Sequence, residues 1–328
     1  VITVDCVISS YDLVHQVRDR LAIVITDHHE APEHIPEAKA VIDHKQPGCP
    51  YPDKNLAGCG VAYKLCQAIW LRRTGQWYDK DLDIVALGTV ADVVPLLSEN
   101  RIYVKAGLTK MAENPNIGIK ALIDVAGLTH KVITAGHIGF TLAPRLNAAG
   151  RVAHATRAVE LLTAMDVDVA QQIAQELNEI NIERQELERS IHEIARQNLL
   201  NQGHDADYVA LVAGPDWHPG VIGIVASRLV EEFYKPTLVI SVKDGIGKGS
   251  CRSIDNCNMY EALKSVEDIL LQFGGHQAAA GFSIEEDKIP VLRRRLSDYC
   301  QSHLSAEDYG PLVNIDEALP MDTIDVAM

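Results

Sequence analysis

The sequence predicts an α/β fold built from two α/β domains, each with a parallel βαβ unit, joined by a long helix. Short runs rich in Val and Ile flank a helical stretch at the start of the chain, and the same pattern returns near residue 208. Between them, residues 167–200 carry apolar side chains three or four positions apart, the spacing of one helix face. At about 1.5 Å per residue this helix would extend about 50 Å, enough to hold two domains apart.

The first domain has the pattern strand, helix, strand, loop and strand, followed by helices to about residue 165. Short apolar runs are typical of parallel strands that are buried on both faces, and a helix between the first two provides the crossover that parallel pairing needs. A turn-rich loop at 46–52 separates this unit from the helices. The predicted strands are 1–5, 21–26 and 39–43, and the predicted helices begin with about 10–20, 58–73 and 79–91.

The second domain repeats the strand–helix–strand pattern and adds a polar strand. His218 stands at the start of its helix, where exposed amides suit an anion. Further on, Lys248–Ser253 is predicted to be extended. Its period of two places Lys248, Ser250 and Arg252 on one face, either as a phosphate track or as the solvated side of an edge strand. The other predicted elements are a strand at 208–214, a helix at 221–233 and a strand at 237–241.

Two further features admit both a functional and a structural interpretation. In the stretch Phe273–Phe282, Gly274 and Gly275 would let the backbone approach a ligand closely, and His276 adds a hydrogen-bond donor. The structural alternative is a glycine-rich turn before a buried helix. Arg184 falls on the apolar stripe of the long helix, where it would either snorkel at a domain junction or meet phosphate.

Three apolar runs of the first domain end in possible metal ligands. In an open α/β sheet, ligands bind at the carboxyl ends of the strands, and carboxylate and imidazole donors suit Mn²⁺ or Mg²⁺. Each residue by itself is better explained as a cap or a loop residue, but together they favour a metal site. The residues are Asp5, the triplet Asp27-His28-His29, and Asp92.

Composition narrows the class of protein. With 47% hydrophobic and 23% charged residues, the composition is typical of a globular protein. The length of 328 residues is sufficient for two domains with separate hydrophobic cores. Its net charge of −15 argues against nonspecific coating of DNA but is compatible with a local basic groove. The seven cysteines form no Cys-x-x-Cys pair, which indicates reduced thiols and a cytoplasmic setting. No run approaches a membrane span, and the abrupt start without Met predicts a fragment.

An ordered set of motifs resembles the DHH phosphoesterases that carry a DHHA1 domain. The motifs are Val-Asp5-Cys, Thr-Asp27-His28-His29, Ala-Leu-Gly-Thr-Val-Ala-Asp92-Val-Val-Pro-Leu, Ala143-Pro-Arg145-Leu-Asn147-Ala-Ala-Gly150-Arg151, Trp217-His218-Pro-Gly, Lys248-Gly-Ser250-Cys-Arg252 and Phe-Gly274-Gly275-His276. The resemblance covers about residues 1–300 and implies an active site in a cleft between two domains. The implied parts are a DHH catalytic domain at 1–165, a connecting helix at 166–203, a DHHA1 substrate-binding domain at 204–305 and the start of a C-terminal nucleic-acid-binding module at 306–328.

Within that family, the longer motifs are similar to those of exonucleases that degrade single-stranded DNA in the 5′→3′ direction in DNA repair and recombination. The resemblance implies two divalent ions, Mn²⁺ or Mg²⁺, with Asp5 bridging them and with His28 and Asp92 completing the shell of one. His29 would contact the scissile phosphate, and Asp27 would orient the ligands around it.

The resemblance also implies a path for the substrate. Three residues of the first domain would line the cleft, and a set in the second domain would hold the 5′ end of the strand, which sets the direction of digestion. A narrow cleft would exclude duplex DNA. Single-strand-binding protein and a helicase are the expected partners. The first set is Arg145, Asn147 and Arg151, and the second is Ser250, Arg252 and His276, with His218, Lys248, Gly274 and Gly275 beside it.

Two departures from the family pattern bear on activity. An aspartate-rich motif that family members carry upstream is absent, and Val7 replaces a usual glycine, which would strain the loop beside Asp5 if that position needs a positive φ. Two other functions remain open: a smaller DHH phosphoesterase for oligoribonucleotides or cyclic dinucleotides, and a nuclease-dead scaffold at the replication fork. The long helix argues against the first, and the retained metal-site residues argue against the second.

Overall fold

The computed structural model describes residues 1–201, 208–311, 313, 315 and 317–319. The chain forms two compact units, Val1–Ile182 (unit 1) and Glu183–Met328 (unit 2), so the boundary falls inside the long helix. None of the helices in the described part of the chain is long and apolar enough to cross a membrane. The predicted domain bounds at 165, 203 and 305 stay predictions, and the segment assigned to a C-terminal module lies partly outside the described residues.

Unit 1 begins with a parallel sheet, which confirms the predicted βαβ pattern. Its strands β1 (Ile2–Val4), β2 (Val24–Thr26) and β3 (Ala40–Ile42) lie in that order, and α1 (Tyr11–Val17) connects the first two. Val4 pairs with Thr26, and Thr26 pairs with Ile42, so the three strands end at the same level. Their carboxyl ends therefore form one edge of the sheet.

Helices make up the rest of unit 1, and their apolar faces form its main core. Leu122, Ile138, Leu142, Leu161 and Leu177 have no exposed surface. Leu177 belongs to the long helix, whose first half packs into this core as its apolar stripe predicted. The helices are α2 (Gly58–Thr74), α3 (Leu82–Ala91), α4 (Ser98–Glu113), α5 (Ile117–Val125), α6 (Ala135–His137), a π-helical turn (Ile138–Leu142), α7 (Ala143–Val152), α8 (Thr156–Leu162) and α9 (Val167–Asn201).

Unit 2 contains a five-stranded mixed sheet. Its elements are β4 (Ala210–Pro215), α10 (Pro219–Phe233), β5 (Thr237–Lys243), β6 (Ile246–Arg252), α11 (Met259–Lys264), β7 (Leu270–Gly275), β8 (Ala279–Glu285) and α12 (Ile289–His303), with short 3-10 turns at Glu267–Ile269, Glu286–Lys288 and Ala306–Tyr309. The predicted βαβ unit is β4, α10 and β5, but the other pairs in the order β4-β5-β6-β8-β7 are antiparallel. Asp244 and Gly245, with φ of 51° and 75°, form the two-residue turn that reverses the chain after β5.

Candidate metal centre

Three aspartates stand one residue beyond the strands of unit 1. Asp5 follows β1, Asp27 follows β2 and Asp43 follows β3. The strand ladder continues into them, since the Asp5 amide donates to the Thr26 carbonyl at 2.9 Å and the Asp27 amide donates to the Ile42 carbonyl at 3.0 Å. All three residues thus belong to the edge at which open α/β sheets bind ligands.

Asp27 is fully buried and accepts hydrogen bonds from the loop that carries both histidines. Its Oδ1 accepts from the amides of His28 (2.8 Å) and His29 (3.3 Å), and its Oδ2 accepts from the amide of Ile8 (3.0 Å). Burial alone would raise the pKa of Asp27, but the bond from the His29 ring and these amide bonds outweigh it, so the pKa is lowered. Asp27 is therefore a carboxylate that fixes the shape of the loop.

His29 pairs with this buried carboxylate. Its Nδ1 lies 2.7 Å from Asp27 Oδ1, and because a carboxylate only accepts hydrogen bonds, Nδ1 carries a proton. The His29 side chain is 51% exposed, so Nε2 is the ring atom available to a ligand. Asp27 thus contacts His29 directly, as its predicted orienting role requires. The predicted role of His29 at a phosphate stays a prediction.

His28 links the two other predicted ligands. Its Nε2 lies 2.9 Å from Asp5 Oδ1 and 3.5 Å from Asp92 Oδ2. The hydrogen bond with Asp5 raises the pKa of His28; burial opposes this, and the negative charge of Asp92 adds to it. Ligand atoms of Asp5, His28 and His29 all lie within 4.8 Å of one another, close enough to share an ion. Carboxylate and imidazole donors in this number fit a hard or borderline divalent cation.

Asp92 reaches the site from the carboxyl end of α3. As the C-cap residue it donates its amide to the Gly88 carbonyl at 3.0 Å, so the helix end sets its position. Burial raises the pKa of Asp92, the charge of His28 lowers it and the charge of Asp5 raises it, with a net upward shift. A bound cation would relieve the repulsion between the two carboxylates. The three predicted metal ligands therefore do come together.

The backbone beside these ligands adopts conformations that non-glycine residues rarely use. Asp5, Val7 and Val93 have φ of 62°, 84° and 62°, and for the two β-branched valines this is a strained region. Strain in the loop beside Asp5 was expected if Val7 has a positive φ, and Val7 does have one. Val93 directly follows Asp92. Strain of this kind persists where the surrounding structure holds it in place, and it clusters at functional sites.

Two residues at the centre, Gly58 and Asp43, were not singled out from the sequence. A β-carbon on Gly58 would stand 2.4 Å from Asp5 Oδ1, so α2 must start with glycine to leave room for that carboxylate. Asp43 is 3% exposed, and its Oδ2 has no hydrogen-bond partner among the described residues. The signal for Asp43 was present, because it closes the apolar run Ala40–Ile42 as Asp5 closes the first run.

The predicted substrate residues of unit 1 lie on α7. Arg145 is half-buried, and its guanidinium donates to the Thr141 carbonyl at 2.6 Å and to the Asn178 side-chain oxygen at 3.0 Å. Burial lowers the pKa of Arg145. Asn147 and Arg151 are exposed. Arg145 is thus held by internal contacts, whereas Asn147 and Arg151 are accessible from solvent.

In unit 2, β6 carries the predicted polar face. Its residues alternate between exposed and buried, which confirms that Lys248, Ser250 and Arg252 share one face. Arg252 Nη1 donates to Ser250 Oγ at 3.3 Å. A β-carbon on Gly223 of α10 would lie 3.0 Å from Ser250 Oγ and 3.1 Å from Arg252 Nη2, so the helix packs closely against this pair. A cavity of about 440 Å³ opens beside the face.

His218 and the glycine-rich stretch that contains Gly274 and Gly275 also have structural roles. His218 is the N-cap of α10, and its Nδ1 accepts from the Gly220 amide at 3.1 Å, so the ring occupies one of the amides predicted to bind an anion. Gly275 has φ of 148°, and the His276 amide donates to the Ala279 carbonyl at 2.8 Å, which closes the turn between β7 and β8. The glycine-rich turn is therefore followed by a strand rather than by a buried helix. Gly274 lines the 440 Å³ cavity.

Arg184 is 8% exposed and pairs with Glu188, one helical turn further along α9. Glu188 is itself buried, and its Oε1 also lies 2.6 Å from Arg228 Nη2 of α10. The charge of Arg184 is therefore balanced by a buried carboxylate inside unit 2.

Two family models match the chain. The model described as DHH family, N-terminal domain, matches residues 1–89, and the model described as DHHA1 domain matches residues 205–302. The first contains β1 to β3 with most of α3, and the second contains the mixed sheet.

Single relatives match across nearly all of the chain. It is 40% identical over 332 residues to the single-stranded-DNA-specific exonuclease RecJ of Bacillus subtilis (strain 168), a match over 99% of this chain and 41% of that protein. The crystal structure of RecJ from Thermus thermophilus with Mn²⁺ is 34% identical with a TM-score of 0.81 and covers 92% of this chain and 44% of that one. A manganese-bound exonuclease RecJ is 33% identical with a TM-score of 0.79 and covers 92% and 74%. The chain spans about half the length of the curated relatives it matches.

Proposed function

Because the chain belongs to the RecJ family of DHH–DHHA1 proteins, we propose that it hydrolyses single-stranded DNA from the 5′ end with Mn²⁺ or Mg²⁺ as cofactor. Its curated relatives are named single-stranded-DNA-specific exonucleases. Since the chain spans about half of their length, the proposal depends on what its own residues can do.

One observation carries the proposal: Asp5, His28 and Asp92 converge at the strand-end edge, beside the histidine that Asp27 holds. Two carboxylates and an imidazole are suitable ligands for Mn²⁺ and for Mg²⁺. Related RecJ structures hold Mn²⁺ or Mg²⁺. Divalent ions bound here would supply an activated water and would stabilise the charge on the leaving oxygen during phosphodiester hydrolysis.

His29 and Asp27 would act on the phosphate as a pair. Asp27 fixes the proton on Nδ1 and so leaves Nε2 for the substrate. Nε2, on the exposed side of the ring, is then the atom that would face the substrate phosphate. In this assignment His29 touches the substrate, and Asp27 positions it.

We assign the 5′ end of the strand to the polar face of β6. Lys248, Ser250 and Arg252 offer two cations and a hydroxyl in a row beside a 440 Å³ cavity, which suits charge-assisted hydrogen bonds to a terminal phosphate. A site for the terminal phosphate would set the 5′→3′ direction. On α7, Asn147 and Arg151 are exposed and would bind the phosphodiester backbone.

The expected setting follows from the proposed substrate. Single strands arise where a helicase separates a duplex, and single-strand-binding protein covers them, so these two are the proposed partners in DNA repair and recombination. The seven cysteines are all unpaired, in keeping with reduced thiols and a cytoplasmic location.

The test is the release of label from single-stranded DNA labelled at its 5′ or its 3′ end, in Mn²⁺, with a blunt duplex of the same sequence beside it. We expect early release of the 5′ label, little release from the duplex, and none from the His28→Ala, His29→Ala variant. His130→Ala is the matched control, since His130 is an exposed histidine away from the centre. Early release of the 3′ label would contradict the direction. Strand binding without any release would favour the nuclease-dead scaffold.

A further inference from the structure

The side chain of Phe140 is almost fully exposed, although apolar side chains two positions before and after it are buried. Its side chain is 89% exposed, whereas Ile138 and Leu142 on either side have no exposed surface. The other three phenylalanines, Phe233, Phe273 and Phe282, are all at least partly buried. A single exposed apolar side chain is common on protein surfaces, so the inference depends on where this one stands.

The backbone that carries Phe140 is a π-helical turn, Ile138–Leu142, between α6 and α7. Such turns are rare, and they recur at functional sites. Here Ile138 and Leu142 fix both ends of the turn in the core of unit 1. The ring of Phe140 therefore stands on a rigid support and projects into solvent.

The turn lies beside the helix that ends at the metal centre. A β-carbon on Gly139 would be 3.7 Å from Val90 Cγ1, an ordinary contact, and Val90 comes two residues before Asp92. Phe140 is the next residue after Gly139. The chain then runs directly into α7, which exposes Asn147 and Arg151. Phe140 thus belongs to a segment that contacts the helix ending at Asp92 and that leads, three residues later, into the helix proposed to hold the phosphodiester backbone.

We propose that Phe140 is a stacking platform for a nucleobase of the single-stranded DNA bound at the metal centre. An aromatic ring stacks on any of the four bases because each has a π-face, so the contact adds affinity without selecting sequence. Inside a duplex both faces of a base are covered by its neighbours, so an internal base can use the platform only in a single strand. This proposal rests on the proposed function and adds a base contact to it.

Binding is tested without turnover, by fluorescence titration of Phe140→Trp with an oligothymidylate in the absence of divalent metal. The spectrum of the wild-type protein, with its native tryptophans, is subtracted. We expect quenching that saturates with the oligothymidylate and is absent with an abasic oligonucleotide of equal length. Val132→Trp is the matched control, because Val132 is 81% exposed in unit 1 and belongs to none of the assigned sites. Equal quenching by the abasic strand would overturn the stacking contact, since the phosphates alone would explain it.

The kinetic test compares Phe140→Ala with Phe140→Tyr in Mn²⁺. Loss of one stacked base should raise KM by about tenfold or more for the oligothymidylate, with kcat within about twofold, and Phe140→Tyr should restore KM. An unchanged KM in Phe140→Ala would overturn the proposal even if the nuclease activity is present. Saturable, base-dependent quenching in a protein that releases no nucleotide would support the platform while contradicting the exonuclease.

Discussion

Gly58 and Asp5 are in such close contact that a β-carbon on Gly58 would stand 2.4 Å from Oδ1 of the carboxylate and 2.7 Å from its Cγ. Gly58 is the first residue of the 17-residue helix α2, whose unpaired amides favour a negative charge at this end. Asp5 in turn lies 2.9 Å from His28 Nε2. The start of α2 therefore limits where one of the proposed metal ligands can lie.

The first prediction follows from that contact. Gly58→Ala should displace the Asp5 carboxylate and weaken Mn²⁺ binding by about 10- to 100-fold, as expected when a residue that positions a ligand is disturbed. Isothermal titration calorimetry with Mn²⁺ measures the dissociation constant of each variant. Gly60→Ala is the matched control on the same helix, because its β-carbon would meet Leu56 only at an ordinary 3.6 Å. Equal affinity in the two variants would contradict the contact's importance.

The pair Asp27 and His29 gives the second prediction. Asp27→Asn keeps the shape of the side chain but removes the charge that fixes the Nδ1 proton of His29, so we expect kcat on single-stranded DNA to fall by about 10- to 100-fold. A double-mutant cycle with His29→Gln, measured in kcat, distinguishes a joint role of Asp27 and His29 from two independent effects. If the two residues act together, the double variant should be no slower than the slower single variant. Additive losses would show that Asp27 acts mainly through the loop amides.

The grouping of the proposed metal ligands was largely predictable because its signal is local. Asp5 and the pair Asp27-His28 follow short apolar strands, and parallel strands bring such ends to one edge. Asp92 instead follows the apolar helix α3, so its position depends on where that helix ends. Asp43 fits the rule for strand ends, since it closes the apolar run Ala40–Ile42 and is followed by a histidine, His44, but it was not singled out. Gly58 could not be found this way, since its role is to leave space for a residue 53 positions earlier in the chain.

Predictions for unit 2 were reliable where the pattern was periodic. The alternation along β6 correctly placed Lys248 and Arg252 on one face. The antiparallel pairing was not foreseen, because a strand's own residues do not report which neighbour it will pair with. The two-residue turn Asp244-Gly245 was the available signal for a hairpin. His218 had a second role that spacing cannot show, since capping depends on the geometry of its own ring.

The third prediction concerns pH and the buried ring of His44. His44 is 5% exposed, its Nε2 lies 3.0 Å from the Lys54 carbonyl, and burial lowers its pKa below the usual value. In the unfolded chain His44 is protonated below about pH 6.5, whereas in the folded chain it stays neutral to a lower pH. The free energy of unfolding therefore falls as the pH falls through this range. We expect the free energy of unfolding to fall between pH 6.5 and pH 5.5, by at most about 1 kcal/mol from this group.

Urea unfolding of the wild type and His44→Gln at a series of pH values measures the effect. Glutamine is neutral throughout and can still donate to the Lys54 carbonyl, so its curve should be flatter below about pH 6.5. His130→Gln is the matched control, because it makes the same substitution at an exposed histidine of the same unit. Parallel curves for the wild type and His44→Gln would contradict the assignment.

The fourth prediction concerns Glu188, the buried carboxylate that contacts Arg184 and Arg228. In Glu188→Gln the 8% exposed guanidinium of Arg184 keeps its charge but loses its carboxylate, so we expect the free energy of unfolding to fall by about 3 kcal/mol. Glu193→Gln is the matched control on the same helix, since Glu193 is exposed and its charge is solvated. Urea unfolding at neutral pH compares the two.

A double variant distinguishes the loss of charge balance from the loss of packing. Arg184→Met together with Glu188→Leu removes both buried charges and keeps apolar volume, and buried ion pairs replaced in this way commonly leave a protein as stable as before. We therefore expect the double variant to recover most of the stability that Glu188→Gln loses, because the buried guanidinium is gone and the side chain of Arg228, which is 53% exposed, stays in contact with water. If instead the double variant is less stable than Glu188→Gln, the two side chains stabilise unit 2 through their packing, and the ion pair is incidental to it.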